Sequence, residues 1–204
     1  MSERLEIRAE GPNPRHIDHM VAVLVRGGLI AYPTDSGYTL GWRASNRRAQ
    51  ERVIRLRQLN QNHNFTYCCR DLSDVGQLAQ VDNWAYRYIR QLTPGPFTFI
   101  LPATNQVPRW AQQKKRRTIG IRIPKHSVAQ ALLQTLDEPL LSSSLILPEQ
   151  DEEILDTEDL FDAVHGLLDL FVDAGYCPLE PSTIVDMTDS SPVILRQGRG
   201  VLDF

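Results

Sequence analysis

A single α/β domain spanning residues 1–204 is the fold class that this sequence predicts, and three observations carry it. Short apolar runs with strand character alternate with stretches of helical spacing, and no repeat or low-complexity segment interrupts them. A length of 204 residues suits one such domain and is short for two. The third observation is Ala31-Tyr-Pro-Thr-Asp-Ser-Gly-Tyr-Thr-Leu-Gly41, where an apolar run enters a loop with three aliphatic hydroxyls, a carboxylate and two glycines. Rigid sheets in α/β proteins hold ligand-binding turns of this kind at their strand ends.

The elements follow in order. Asn13 before Pro14 is a cap and a first-turn residue. Ile17, Val21, Leu24 and Val25 then share a helical face, which Gly27-Gly28 ends. Leu29 to Tyr32 is a strand, with the loop carrying Thr34 beyond it. Ser45 is placed to cap a helix bearing Ala49, Val53, Ile54 and Leu56. Phe65 to Cys69 is the next strand, and short helices follow over Leu72–Ala79 and Asp82–Leu92. Phe97–Leu101 is a strand bounded by prolines, Thr118–Ile123 alternates apolar with polar residues, and Ser127–Leu136 has helical spacing. Leu140–Leu147, Leu168–Val172, Thr183–Val185 and Val193–Leu195 complete the strands. Glu149–Asp159 is acidic, lacks an apolar period and reads as a surface excursion.

Composition narrows the function. With 42% hydrophobic and 23% charged residues the chain is ordinary for a soluble globular protein. A net charge of -3 argues against a nucleic-acid binder over its whole surface, while leaving room for a local basic patch. No apolar run is long enough to cross a bilayer, and the mixed charges of the first residues lack a signal-peptide core, so a cytoplasmic location is expected. The three cysteines form no metal pattern; Cys68 and Cys69, adjacent on a strand, should face opposite sides as buried thiols. Neither a Gly-x-Gly-x-x-Gly turn nor a Gly-x-x-x-x-Gly-Lys loop is present, so hydroxyls and arginines would have to hold any nucleotide phosphates.

Five segments in this order, Ala31–Gly41, Pro94-Gly-Pro-Phe-Thr98, Gly120-Ile-Arg-Ile-Pro124, Pro181-Ser-Thr-Ile-Val185 and Leu195-Arg-Gln-Gly198, resemble the YrdC-like family. The resemblance runs from about Ile17 to Gly198 and implies the YrdC-like (YrdC/RibB-type) fold, a twisted, open, mixed β-sheet with helices and a concave basic groove. The family's main members make threonylcarbamoyl-AMP from threonine, bicarbonate and ATP for tRNA modification. ATP is therefore the implied nucleotide substrate, with Mg2+ accompanying it and no protein metal site.

The resemblance implies threonine-like substrate contacts at Thr34, Arg122 and Ser182, and nucleotide contacts at Arg57, Ser144 and Arg196. Strand-face position adds Ser142 to the first set and Thr118 to the second, and His63, where the family commonly has a lysine, joins the second. Each has a plainer alternative. The Thr34 hydroxyl could satisfy its own turn, Arg57 could be a solvated helix cation, and Arg122 and Arg196 could sit in internal or surface pairs. Lys114-Lys-Arg-Arg117, and Arg48 and Arg52 on one helical face, are candidate RNA or tRNA contacts, or simply solvated charge.

Two motifs depart from the family pattern. Leu59 stands where the family has an arginine, and Ile146 where its Ser-x-Asn signature has the asparagine. These departures, with His63-Asn-Phe-Thr66 and the run Ser142-Ser-Ser144, look like the YciO branch. Two functional classes remain open: a synthase-like enzyme of reduced activity, and a non-catalytic module binding nucleotide or double-stranded RNA.

Overall fold

The computed structural model describes residues 2–60, 63–148, 156–177 and 180–202. In chain order the elements are β1 (Glu3–Glu6), α1 (Pro14–Val25), β2 (Ile30–Thr34), β3 (Gly37–Arg43), α2 (Arg47–Leu56) and β4 (Thr66–Cys68). Then come α3 (Leu72–Leu78), α4 (Asn83–Leu92), β5 (Phe97–Pro102), a 3-10 turn (Arg109–Ala111), β6 (Thr118–Arg122) and α5 (Ser127–Leu136). The chain continues with β7 (Leu140–Ser144), α6 (Thr157–Val164), β8 (Leu170–Asp173), β9 (Thr183–Asp186) and β10 (Val193–Arg196). The ten strands among the described residues form one open mixed sheet, in the order β1-β8-β2-β3-β7-β4-β6-β5-β9-β10. This is the α/β architecture the sequence predicts.

Alternation along the strands gives the sheet two unlike faces. Tyr38, Leu40, Trp42, Tyr67, Phe97, Phe99, Ile119, Ile121, Leu141 and Val185 lie in one large core with side chains from α2, α3, α4 and α6. On the other face Ile30, Tyr32, Cys68, Leu140, Leu170 and Val172 pack under α1 and α5. Cys68 and Cys69 do point to opposite cores, both buried and free.

Several local expectations are corrected. Asn46, not Ser45, caps α2: its Oδ1 accepts the Ala49 N–H at 3.1 Å and its Nδ2 donates to the Gly27 carbonyl. Val25 falls off the buried face of α1 and is 57% exposed, because the packed face steps through Ile17, Met20 and Leu24. The polar segment after Tyr32 is not an open loop but a hairpin, with Thr34 paired to Gly37 and only Asp35 and Ser36 between them. Gly37 takes φ 104 there, which a side chain would resist. Pro33 is tolerated because β8 flanks this strand only at Ile30 and Ala31.

The charged start of the chain forms β1, parallel to β8, and its Glu3, Arg4 and Glu6 suit an exposed edge. Strand β7 ends at Ser144 rather than Leu147. Of the expected excursion Glu149–Asp159, residues 149–155 lie outside the described residues; Asp156 is instead the N-cap of α6, whose first turn carries Glu158 and Asp159. Acidic side chains at a helix start oppose the positive end of its dipole.

Candidate functional site

Helices α1 and α5 cover only part of their face, and on the rest the same strands present small polar side chains. Register places Gly41 opposite Ser142 and Thr39 opposite Ser144. Thr66 lies between Ser142 and Gly120, and Cys68 beside Arg122. Beyond β6, Thr98 pairs with Ile184, and its hydroxyl is 2.7 Å from that of Ser182. The resulting cleft is lined by Thr39, Thr66, Thr98, Ser142, Ser144 and Ser182, with Arg57, Arg122, Arg196 and His63 at its wall. Among the described residues no carboxylate belongs to that lining.

Each arginine arrives by a different route. Arg57 is the C-cap of α2 and reaches round the sheet, its Nε donating to the Ile146 carbonyl at 3.1 Å and its Nη1 to Ser143 Oγ at 2.5 Å. Arg196 depends on a register shift in the β9–β10 pair. Ile194 is opposite Val185, but Arg196 rather than Leu195 is opposite Ile184, which faces the cleft. Its Nε and Nη2 donate to the Ser182 carbonyl at 3.2 and 2.8 Å. Arg122 is buried in an ion pair with Asp35, and its Nη1 donates to Ser36 Oγ at 2.5 Å. Arg122 Nε and Asp35 Oδ2 nevertheless lack hydrogen-bond partners among the described residues.

Electrostatics follow from burial. Desolvation pulls the Arg57 and Arg196 guanidinium pKa values below the ordinary arginine value. The pKa of His63, edge-on to Phe65, is lowered first by burial and then by the neighbouring Arg57 cation, both of which favour the neutral imidazole. Ser144 and Thr66 carry no side-chain hydrogen bond among the described residues, leaving both hydroxyls open to a ligand. Ser142 is committed, donating to the Thr66 carbonyl at 2.9 Å and accepting from Cys68 Sγ.

Of the residues singled out from the sequence, Arg57, His63, Arg122, Ser142, Ser144, Ser182 and Arg196 line this cleft; Thr34 and Thr118 do not. Thr34 is buried and turned onto its own hairpin, donating to the Gly37 carbonyl at 2.7 Å and accepting the Ser36 N–H. Thr118 is buried opposite Pro102, four residues along β6 from Arg122. Arg52 is tied to Asp169 at 2.6 Å and to the Leu167 carbonyl, while Arg48 stays exposed on α2. Arg116 reaches Asp186 at 3.3 Å, and Lys114, Lys115 and Arg117 share its exposed turn. Among the described residues no group of three His, Cys, Asp or Glu could hold a metal ion, and no helix is long and apolar enough to cross a membrane.

Sequence reasoning missed Asp35 and three threonines. A signal for the threonines was present: Tyr38-Thr39-Leu40, Phe65-Thr66-Tyr67 and Phe97-Thr98-Phe99 each set one hydroxyl between two large apolar side chains. On strands, that triplet writes a core face and a polar face at once.

The family model described as telomere recombination, for Sua5, YciO and YrdC proteins, matches residues 22–198. The uncharacterized protein YciO of Escherichia coli is 45% identical over 200 residues, 98% of this chain and 97% of that protein. Its crystal structure superposes with a TM-score of 0.93 over 98% of both chains. A threonylcarbamoyl-AMP synthase of Coxiella burnetii is 33% identical over 129 residues, 63% of this chain and 69% of that enzyme. The fold alone is shared with P. abyssi Sua5 complexed with L-threonine, at 23% identity and a TM-score of 0.87, over 97% of this chain and 58% of that one. From the hairpin carrying Asp35 to the strand carrying Arg196, the chain belongs to the Sua5/YciO/YrdC family, on its YciO side.

Proposed function

We propose that the cleft binds the phosphates of ATP beside a small amino-acid-like substrate, and that the protein carries out threonylcarbamoyl-AMP synthesis at a reduced rate. The observation that carries this reading is the lining itself: three arginines, of which Arg122 is ion-paired to Asp35, an imidazole and two unengaged hydroxyls, with no carboxylate among the described residues that line it. Arg57 and Arg196 flank the polar strands and would draw phosphate oxygens, with Ser144 and Thr66 completing their hydrogen bonds. Fixed cations of this kind stabilise charge that builds on departing pyrophosphate. The hollow encloses about 190 Å3, room for phosphate groups but not a whole nucleotide, so base and ribose would extend onto the open sheet. Mg2+ would come with the ATP phosphates.

The amino-acid carboxylate would take the place of Asp35 on Arg122, and the partnerless Nε and Oδ2 atoms mark that pair as one with capacity to rearrange. Reduced activity follows from the two departures. Leu59 packs against the large core, and Ile146 lines the cleft at the position where the family pattern has a hydrogen-bonding amide. Losing one charge-assisted hydrogen bond costs roughly 1.5–3 kcal/mol, about one to two decades in rate.

The test is pyrophosphate release with ATP, bicarbonate and each amino acid in turn, beside rescue of tRNA modification. Release that depends on threonine and bicarbonate supports the proposal. Nucleotide binding without turnover would favour the second reading, a non-catalytic nucleotide module, which the closed Arg122–Asp35 pair already supports. RNA binding at Lys114–Arg117 belongs to that reading.

A further inference from the structure

A second basic hollow lies at the opposite end of β5 and β6 from Thr98 and Arg122. It holds about 320 Å3 and shares no lining residue with the cleft. Four residues of strand, roughly 13 Å, separate Arg122 from Thr118 beside it. Its wall includes Thr104, Asn105, Arg109, Gln112, Arg116 and Arg117, and among the described residues no carboxylate.

Arg109 and Arg117 make no side-chain hydrogen bond or ion pair among the described residues. Arg117 holds a left-handed backbone, φ 54, that an arginine does not adopt freely. Three bonds keep it there: its N–H donates to the Gln113 carbonyl at 2.9 Å, its carbonyl accepts from Ala103 at 2.9 Å, and Gln113 donates to the Thr118 carbonyl at 2.8 Å. Arg116 is tethered at the rim by Asp186. Like charges gathered in one concavity repel each other, and an anion between them removes that cost.

We propose that this hollow is a second anion site, built for a compact phosphate such as pyrophosphate or the end of a small molecule's oligophosphate chain. Guanidinium forks pair two-on-two with phosphate oxygens, which suits Arg109 and Arg117 facing one pocket. The surroundings decide against an extended polyanion. The adjoining hollow, which shares Gln80 and Pro102, is lined by Asp82 and Asp189, and Asp186 stands at the rim. A long backbone of phosphates would run into those carboxylates, whereas a compact anion would not.

The test titrates the full chain with inorganic pyrophosphate, followed by calorimetry and phosphorus NMR. Arg109→Gln with Arg117→Asn removes both charges, asparagine being a residue that tolerates positive φ. This variant should weaken pyrophosphate binding at one site at least about tenfold, while Arg57→Ala with Arg196→Ala leaves that site intact. A native protein that binds no pyrophosphate at millimolar ligand, or an Arg109/Arg117 variant that binds as the native chain does, overturns the proposal. A short RNA duplex is the third arm: loss of duplex binding with pyrophosphate unchanged would make this an RNA surface instead, and also overturns it. Arg109→Gln alone, at an exposed position, carries the same test should the double variant melt early.

Discussion

One face of this sheet is two different surfaces made by the same strands. Where α1 and α5 lie across it, β2, β4 and β7 present Ile30, Tyr32, Cys68 and Leu140, an apolar set whose one orphaned polar atom is the Tyr32 hydroxyl. Further along the same face, β4 and β7 turn Thr66, Ser142 and Ser144 toward the cleft. The face changes character within two residues, from Cys68 to Thr66 and from Leu140 to Ser142. Stability and ligand chemistry are therefore segregated lengthwise along strands rather than placed on separate elements. A substitution's effect should depend on which side of that boundary it falls.

The largest effect is expected on the boundary itself. Asp35→Ala leaves Arg122 buried without its counter-ion and should cost about 3–5 kcal/mol in urea unfolding, unless an added carboxylate ligand restores the pair. An unchanged midpoint would show that water reaches Arg122 and that the two surfaces are not sealed from each other. On the covered side, Leu132→Ala removes a fully buried α5 side chain and should cost about 2–5 kcal/mol with nucleotide affinity unaltered. On the open side the pattern reverses. Arg196→Ala should weaken ATP binding about tenfold, near 1.4 kcal/mol, with little change in melting temperature.

The smallest effect is on pH dependence, and it samples both sides. His63 in the cleft and His126 at the start of α5 have folded pKa values below the ordinary 6.5, in each case chiefly because burial disfavours the charged ring. The unfolded chain then binds more protons below that value, so stability is flat above about pH 6.5 and falls as pH drops through it. Both rings are part-solvated, so the loss by pH 5.5 should stay under about 1 kcal/mol. His63→Gln and His126→Gln together should remove the slope; a slope that survives assigns it to other groups.

Legibility in the sequence followed the range of the interactions. Helix α1 was readable because Asn13, Pro14 and the apolar spacing are local. Strand β3 was not, because Gly37 and Gly41 read as loop glycines until β2 and β7 are seen on either side. Cations of the cleft were found by type. Their partners were not, since Arg57 meets Ser143 across 86 residues and Arg122 meets Ser36 across the same interval. The hairpin around Thr34 is equally illegible, because the pairing of Thr34 with Gly37 and the bond from its hydroxyl to the Gly37 carbonyl appear only in the fold.

The register shift ahead of Arg196 also bears on how the molecule keeps apart from its own copies. Strand β10 is the last of the sheet, and its Val193 and Leu195 are 52% and 56% exposed, the composition of an edge that invites another strand. Were the ladder to straighten, Arg196 would move opposite Thr183 and drive a guanidinium into the large core. That penalty holds the kink in place, and a kinked edge offers an incoming strand no continuous line of amides to pair with. The charge that faces the cleft thus also guards the sheet's open end against fibre-like growth.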